Sequence, residues 1–370
     1  MRVWIGIAAL LAGGLVSRSD GAAPAEFSRG VEAQQNGNHA AAIRLFTAAI
    51  EADRSLPDAW YRRAVSYVKL GQAPGAANAA ALLDTALADI TRAIELDSNN
   101  ANARNLRGSL RLTRGAADLA IADFAAALRV NPRFADAARG RAAALLRLGR
   151  ADEALADLNN VIGLAPHDHT AYRDRADAYR AKGMWAKAAA DYSSVLEIVG
   201  GPYSAQAEQT RAQALKARGD CLMQLGELGK ALSDHRAALS ALGKDGPAEI
   251  ARAWAERGAA VARQGKADTA VILFSNAIEF NPEYLTAYAG RARAHFSLGR
   301  YDKALADCDT VLAHNPESYL DYLLRGQTRD KLGRVDSAAA DYRRALDAAK
   351  AAGEATDSLV KVIRGLQGRK

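Results

Sequence analysis

Apolar and polar positions follow the period of an amphipathic helix along most of the chain, most clearly between Leu285 and Ser318. In this stretch small or apolar residues recur at helical spacing on both sides of Gly299, which predicts two short helices joined by a turn. Glycine accepts the left-handed backbone conformation that ends many helices, and Pro316 prevents the second helix from continuing. A hairpin of this kind cannot bury its apolar face alone and needs similar neighbours.

The same pattern returns along nearly the whole sequence, and most of the predicted turn glycines are 34 residues apart. These glycines are Gly37, Gly71, Gly115, Gly149, Gly183, Gly226, Gly265, Gly299 and Gly333. The residue seven positions before each one is small: Gly30, Ala64, Gly108, Ala142, Ala176, Gly219, Gly258, Ala292 and Gly326. Small residues at fixed places predict close helix–helix contacts, because larger side chains there would overpack the interface.

This repeated pattern resembles the tetratricopeptide repeat (TPR) family over about residues 23–352. The resemblance implies an all-α fold, a right-handed α-solenoid of about nine helix-turn-helix hairpins, followed by a C-terminal capping helix and tail at residues 353–370. Within a superhelix over residues 26–352, the repeats are 23–56, 57–100, 101–134, 135–168, 169–202, 212–246, 251–284, 285–318 and 319–352. The resemblance identifies the fold far more closely than the function.

Three departures from the period mark insertions. About ten extra residues, over 72–83, predict a turn at Pro74-Gly75 and a longer second helix after it. Residues 199–211 contain a Gly-Gly-Pro break and then residues that extend the next first helix. Residues 243–247 predict a further turn, with Pro247 suited to the first helical position. The sequence leaves open whether these insertions contact a partner.

The first 25 residues have the pattern of a secretory signal peptide. A positive flank, Met1-Arg2, precedes the apolar run Val3 to Val16, and small residues around Ala23 offer a cleavage site. An uncleaved N-terminal anchor is the alternative, although the run is short for a membrane span. We therefore predict a periplasmic or secreted protein whose mature chain has no integral membrane span.

Charge and motif content exclude several classes of function. The 370-residue chain has a formal net charge of +7 and a pI near 9.4, but its acidic and basic residues are interspersed. No nucleic-acid partner is expected, because no nucleic-acid motif accompanies the charge. The sequence has no GxSxG, GxGxxG, phosphate-binding loop or HExxH motif, so we predict no enzymatic activity, no catalytic residues and no cofactor.

Few residues offer metal-binding or disulfide chemistry. The run His167-Asp168-His169 has no evident third or fourth ligand, and we predict no metal site there. Cys221 and Cys308 lie two hairpins apart, too far for a disulfide bond between them. Two reduced thiols are unusual for an exported protein.

Arginine occupies one place in all nine repeats, and aspartate occupies one place in seven second helices. An arginine track for anions is one interpretation. We favour structural ion pairs between the two helices of each hairpin, two-pronged and partly buried. The predicted pairs are Arg107–Asp123, Arg141–Asp157, Arg175–Asp191, Arg291–Asp307 and Arg325–Asp341, with Arg63–Asp89 and Arg218–Asp234 in the same register. Arg29 and Arg257 face Leu45 and Leu273 instead.

The TPR resemblance implies that the first helices line a concave groove that binds a partner. The predicted partner-binding residues are Arg139, Arg147, Arg173, Arg180, Lys216, Met223, Arg252, Arg263, Arg293 and Phe296. Leu112, Asp177 and Asp220 occupy the same face. A basic groove with apolar footholds suits a peptide or protein segment that carries acidic residues. The alternative is a solvated helix face with no partner.

The sequence therefore predicts a non-catalytic scaffold or adaptor of the bacterial cell envelope. Two other classes remain open, a self-assembling structural module and a regulatory subunit of a separate enzyme. The oligomeric state is also left open. Asparagine does not follow Arg139 or Arg173 by one helical turn, so the carboxylate clamp of some TPR proteins is not expected.

Overall fold

The computed structural model describes residues 25–76, 78–201, 204–354, 360, 361 and 365. The chain divides into two compact units, Met1–Ile198 and Val199–Lys370. Throughout the described ranges every regular element is helical, so the predicted all-α fold is confirmed. The predicted signal peptide and most of the predicted C-terminal cap lie outside the described residues.

The described residues of the first unit form five helix pairs. They are α1 (Ala25–Gln35) with α2 (His39–Ala52), α3 (Pro57–Gly71) with α4 (Ala79–Leu96), α5 (Ala101–Thr113) with α6 (Ala117–Val130), α7 (Ala135–Arg147) with α8 (Ala151–Leu164), and α9 (His169–Ala181) with α10 (Trp185–Val199), whose last residue begins the second unit. Side chains cap several of these helices. At the starts of α2, α5 and α9, hydrogen bonds from backbone N–H groups are accepted by the side-chain oxygens of Asn38, Asn100 and Asp168.

In the second unit, the described residues up to Glu354 form four helix pairs. They are α11 (Ala205–Leu225) with α12 (Leu228–Ala238), α13 (Gly246–Arg263) with α14 (Ala267–Phe280), α15 (Leu285–Ser297) with α16 (Tyr301–His314), and α17 (Tyr319–Lys331) with α18 (Val335–Ala351). A short 3₁₀ helix, Leu239–Ala241, follows α12.

At one recurring place in the core, small residues on first helices pack against a large residue on a second helix. Phe274 of α14 is buried between two glycines: a Cβ atom on Gly258 of α13 would lie 3.0 Å from its ring, and one on Gly290 of α15 would lie 2.3 Å away. Phe124 of α6 is held in the same way between Gly108 and Gly140. The aromatic ring therefore closes one hairpin and also seats the next one against it.

Eight of the nine predicted turn glycines adopt the left-handed conformation, at φ between 69° and 83°. The prediction for Gly71 is wrong. Gly71 is the last residue of α3 and is buried, and Gly75 takes the left-handed place at φ 77°. A Cβ on Gly71 would lie 3.3 Å from the Ala79 carbonyl oxygen and from the Leu83 side chain. Close packing therefore selects Gly71, and the inserted residues move the turn to Gly75.

The insertions lengthen helices as predicted. Helix α4 has 18 residues where α2 has 14, and α11 has 21 residues. Pro247 stands in the first turn of α13, where its missing N–H has no helical partner to lose.

Candidate functional site

First helices of successive hairpins contact one another and form a layer in each unit. Contacts join α1 to α3, α5 to α7 and α7 to α9 in the first unit, and α11 to α13, α13 to α15 and α15 to α17 in the second. The second helices pack behind this layer. We call the solvent-facing side of the first helices the inner face of a unit, and the sequence predicts that it binds the partner.

The arginine–aspartate series forms two-pronged ion pairs inside the hairpins. In each pair the arginine Nη2 donates to Asp Oδ1 and Nε donates to Asp Oδ2. The Nη2–Oδ1 distances are 2.8 Å for Arg63–Asp89, 2.7 Å for Arg107–Asp123, 2.6 Å for Arg141–Asp157, 2.8 Å for Arg175–Asp191, 2.8 Å for Arg218–Asp234, 2.7 Å for Arg291–Asp307 and 2.8 Å for Arg325–Asp341. All seven aspartates are buried.

These contacts raise the pKa of several of the arginines and so stabilise their charged form. The hydrogen bond to Asp157 raises the pKa of Arg141, and the hydrogen bond to Asp307 does the same for Arg291. Burial alone would lower the pKa of Arg325, but hydrogen bonds to Asp341 and Asp309 outweigh it and raise that pKa. The charges are thus matched inside the protein, and this arrangement favours a structural role over an anion track.

The third nitrogen of several of these arginines reaches the preceding hairpin. Nη1 of Arg63 donates to Thr47, and Nη1 of Arg175 donates to Asn159. Nη1 of Arg291 donates to Ser275, and Nη1 of Arg325 donates to Asp309. The four distances are 2.6 to 3.1 Å. Each acceptor lies sixteen residues before its arginine. The paired aspartate lies sixteen residues after Arg175, Arg291 and Arg325. It lies 26 residues after Arg63, whose hairpin contains an insertion. Sequence reasoning missed this second partner, although the constant spacing of polar residues was a visible signal.

Aromatic rings shield the same guanidinium groups. An aromatic residue three positions earlier on the first helix lies under Arg63, Arg175, Arg291 and Arg325, with ring centroids 4.9 to 5.5 Å from Cζ. These rings belong to Trp60, Tyr172, Tyr288 and Tyr322. Guanidinium–ring contact adds to the ion pair and limits solvent access to it.

On the inner face of the first unit, Arg139 is surrounded by carboxylates. Its nearest acidic oxygens belong to Asp168 at 3.3 Å, Asp174 at 3.6 Å and Asp136 at 3.7 Å. Burial alone would raise the pKa of Asp168, but hydrogen bonds from Thr170 and the charge of Arg139 lower it. Burial raises the pKa of Asp174. Arg139 is therefore neutralised by its own chain.

The other predicted arginines of this unit are also engaged. Arg173 lies 3.0 Å from Asp174, and Arg180 lies 3.5 Å from Asp177. Arg147 donates to the Leu112 carbonyl oxygen at 2.5 Å. Carboxylates therefore balance the predicted positive charge of Arg173 and Arg180, and a backbone carbonyl engages Arg147.

The inner face of the second unit differs because three of its arginines are exposed and unengaged. Within the described part of the chain, Arg252, Arg263 and Arg293 make no side-chain hydrogen bond or ion pair, and the exposed Glu256 lies one helical turn after Arg252 on α13. Lys216 on α11 is instead half-buried between Asp220 at 3.6 Å and Glu249 at 3.7 Å.

Met223 is not a surface residue, and this part of the predicted groove is wrong. Its side chain is 2 % exposed and packs in the core with Ile250 and Trp254. Leu112, at the equivalent place in the first unit, is 0 % exposed. In α5 and α11 this helical position points toward the next hairpin rather than toward solvent, so its apolar side chain is used for packing.

Phe296 combines packing with partial exposure. It is half-buried against Ala292, Cys308 and Leu324, and its ring meets Tyr301 edge-on at 5.6 Å. Phe296 and Arg293 lie three positions apart on α15, so they occupy neighbouring positions on one side of the helix.

The described residues offer no group of three or more His, Cys, Asp or Glu side chains that could hold a metal ion. Asp168 of the His167-Asp168-His169 run instead caps α9 by accepting from the Thr170 N–H. Cys221 and Cys308 are buried, and neither forms a disulfide bond within the described residues. No helix of the described ranges combines the length and apolar character needed to cross a membrane.

Three family models, each described as tetratricopeptide repeat, match most of the chain. One matches residues 27–83, 82–129, 117–166 and 139–205, the second matches 261–325, and the third matches 322–351. The matches cover parts of both units. Curated protein sequences show no match to the chain.

Solved structures of low sequence identity resemble the chain. The C-terminal part of a TPR repeat-containing protein from Cytophaga hutchinsonii is 20% identical, with 71% of this chain and 98% of that chain covered and a TM-score of 0.49. The MamA protein is 22% identical over 47% of this chain and 89% of that chain, with a TM-score of 0.41. The P58(IPK) TPR domain is 20% identical over 92% and 95%, with a TM-score of 0.29. We draw nothing about function from these likenesses.

Proposed function

Because this chain belongs to the tetratricopeptide repeat family, we propose that it is a non-catalytic protein–protein interaction scaffold of the bacterial cell envelope. In this proposal the inner face of the second unit binds a peptide or protein segment that carries acidic and apolar residues. The observation that carries it is the set of three exposed arginines, Arg252, Arg263 and Arg293, without a partner in the described chain.

The chemistry of this face fits a carboxylate-bearing segment. A guanidinium group offers a planar fork of donors that matches a carboxylate, and an unpaired fork at the surface keeps its donors available for a ligand. The backbone approach is open at Ala259 of α13, which is small and exposed. Phe296 supplies a partly exposed apolar contact next to Arg293.

The first unit fits this ligand less well. Arg139, Arg173 and Arg180 already face Asp168, Asp174 and Asp177. An acidic segment would have to displace these carboxylates before it could pair with the arginines, and that displacement opposes binding. We therefore restrict the predicted basic groove to the second unit.

Envelope localisation and the lack of catalysis rest on the sequence. The signal pattern of residues 1–25 supports export, and TPR proteins are generally non-catalytic interaction modules. Fusion of the N-terminal segment to a reporter that is active only after export tests the localisation directly. A reporter that stays inactive would contradict it.

Fluorescence anisotropy with a labelled amphipathic peptide rich in Glu and Leu tests the binding surface. The variant Arg252→Glu/Arg263→Glu/Arg293→Glu should bind at least about tenfold more weakly, a loss of about 1.4 kcal/mol. The matched control reverses three exposed charges on or beside the second helices, Lys266→Glu/Lys303→Glu/Arg343→Glu. It changes the net charge equally and should retain binding.

Two results would contradict the proposal. Equal loss in both triple variants would reduce the interaction to net charge, and a Lys/Leu peptide that binds as tightly as the Glu/Leu peptide would remove its electrostatic basis. Circular dichroism of each variant must match that of the parent protein, so that a loss of folding is not read as a loss of binding.

A further inference from the structure

A histidine occupies a core place in α12 that other second helices fill with an aromatic or aliphatic residue. His235 is 0 % exposed, and the equivalent residues include Phe124, Tyr192 and Phe274. Its ring packs over Gly219 of α11, where a Cβ atom would lie 2.6 Å from the imidazole. A titratable ring thus replaces a neutral one in the packed centre of the second unit.

Both ring nitrogens of His235 have partners that fix its neutral form. Nδ1 lies 2.9 Å from Nε1 of Trp254, and Nε2 lies 3.1 Å from Oδ1 of Asp220 and 3.2 Å from the Lys216 carbonyl oxygen. The indole N–H is a donor only, so Nδ1 must accept. Nε2 therefore carries the hydrogen and donates to the α11 oxygens. One tautomer satisfies every partner.

Charged groups face this ring from one side. On α11, Asp220 favours a charged imidazole, but Lys216 lies 3.6 Å from that carboxylate and offsets it. On α12 itself, the neighbouring Asp234 is paired with Arg218.

Among the described residues, the sides toward the following hairpin offer no second acceptor. Trp254 of α13 presents its N–H, and Phe280 of α14 meets the imidazole edge-on at a centroid distance of 6.2 Å. Glu249 of α13 is directed to Lys216, 3.7 Å away. A proton on Nδ1 therefore meets the indole N–H and nothing that can accept it.

We propose that His235 makes the contact between α12 and α13 acid-sensitive, because a proton on Nδ1 sets two buried N–H donors against each other and separates His235 from Trp254. Two buried donors without acceptors are unfavourable, so uptake of the proton is coupled to local opening. The affected segment starts in α12, a helix of 11 residues that leads into the 3₁₀ helix Leu239–Ala241.

The first unit contains a built-in comparison. Tyr192 of α10 occupies the place of His235 and donates its hydroxyl hydrogen to Asp177 at 2.6 Å, as His235 donates to Asp220. A phenol does not gain a proton in weak acid, so the α9–α10 hairpin lacks the proposed switch.

Hydrogen exchange of the full chain, followed by mass spectrometry, tests the proposal. Between about pH 7.5 and about pH 5.5, which brackets the ordinary imidazole titration, exchange corrected for its intrinsic pH dependence should rise about tenfold in α12 and α13. Exchange in α9 and α10 should not change. His235→Tyr copies the Tyr192 arrangement and should abolish the pH effect.

A second variant keeps the proposal testable if His235→Tyr folds poorly. Trp254→Phe removes the opposing donor, so a charged His235 can remain beside Asp220 and the pH effect should shrink. The proposal is overturned if exchange in α12 and α13 is independent of pH in the parent protein. It is also overturned if the α9–α10 hairpin responds equally or if either variant keeps the full response.

Discussion

Arg291 and Asp307 are joined by two parallel hydrogen bonds, with Nη2 2.7 Å from Oδ1 and Nε 2.9 Å from Oδ2. The remaining nitrogen, Nη1, donates to Ser275 of the preceding hairpin at 3.1 Å. One guanidinium therefore ties α15 to α16 and also to α14. The ion pair joins the two helices of a hairpin, and the third bond connects that hairpin to its neighbour.

Removal of an aspartate from the buried arginine–aspartate pairs should destabilise the solenoid strongly. Asp123 receives Arg107 at 2.7 Å and Arg111 at 2.8 Å, so Asp123→Ala leaves two partly buried cations without a counter-ion. We expect a loss of about 3–5 kcal/mol in the free energy of local unfolding, measured by hydrogen exchange in α5 and α6.

The control for this prediction is an exposed ion pair. Arg92 and Glu95 are 46% and 57% exposed, so Glu95→Ala should change stability by less than about 1 kcal/mol. Similar losses of unfolding free energy in the two variants would mean that the buried arginine–aspartate pairs contribute no more to stability than surface pairs do.

Two glycine-to-alanine substitutions in helices should have opposite signs. In Gly290→Ala the new Cβ would lie 2.3 Å from the Phe274 ring, so the ring or α15 must move, at a cost of about 1–3 kcal/mol. Gly163 of α8 has no neighbouring atom within 4 Å of an added Cβ. Gly163→Ala should therefore stabilise by up to about 1 kcal/mol, because alanine has the higher helix propensity.

Thermal unfolding of the two variants compares them directly. A stabilised Gly290→Ala protein would show that the interface between α14 and α15 is loose enough to accept a methyl group.

The sequence predicted the helical repeats because their signals are local: turn glycines, small contact residues and apolar spacing. It did not predict which glycine bends an irregular turn, since Gly71 and Gly75 differ in packing rather than in type. It did not predict that Met223 is buried, because the direction of that side chain depends on how the next hairpin packs. The neutralisation of Arg139 by Asp136, Asp168 and Asp174 likewise depends on distances between turns and helices.

The charged carboxylates of Asp168 and Asp174 should have opposite effects on stability at neutral pH. The pKa of Asp168 is lowered in the folded protein, so its stabilising effect is present above the pKa of an unfolded aspartate and is lost as the pH falls. Asp168→Ala should destabilise by about 1 kcal/mol at neutral pH, since it also removes the α9 cap, and should matter less in strong acid.

The pKa of Asp174 is raised by burial, so the charged carboxylate opposes folding at neutral pH. Asp174→Asn should raise the thermal midpoint at neutral pH and have little effect below the pKa of an unfolded aspartate. A neutral-pH midpoint that falls in Asp174→Asn would show that its attraction to Arg139 and Arg173 outweighs burial.

Both cysteines should resist thiol reagents in the native protein. Cys221 and Cys308 are each 0 % exposed, and burial raises the pKa of Cys308 to about 12. The thiolate is the reactive form, so both access and ionisation oppose modification. Mass spectrometry after iodoacetamide should show an unmodified native chain and two modified thiols in denaturant. Rapid modification of the native protein would indicate local opening around one of the two helices.

Charge reversal at Arg293 and at Arg139 should separate binding from stability. Arg293 is exposed and has no partner in the described chain, so Arg293→Glu should leave stability within about 0.5 kcal/mol and weaken binding of the Glu/Leu peptide. In Arg139→Glu the new carboxylate would face Asp168, Asp174 and Asp136, so it should destabilise the first unit and leave peptide binding intact. Anisotropy and thermal unfolding of both variants provide the comparison. Loss of binding in Arg139→Glu without loss of folding would move the partner surface to the first unit and exclude the assignment to α13 and α15.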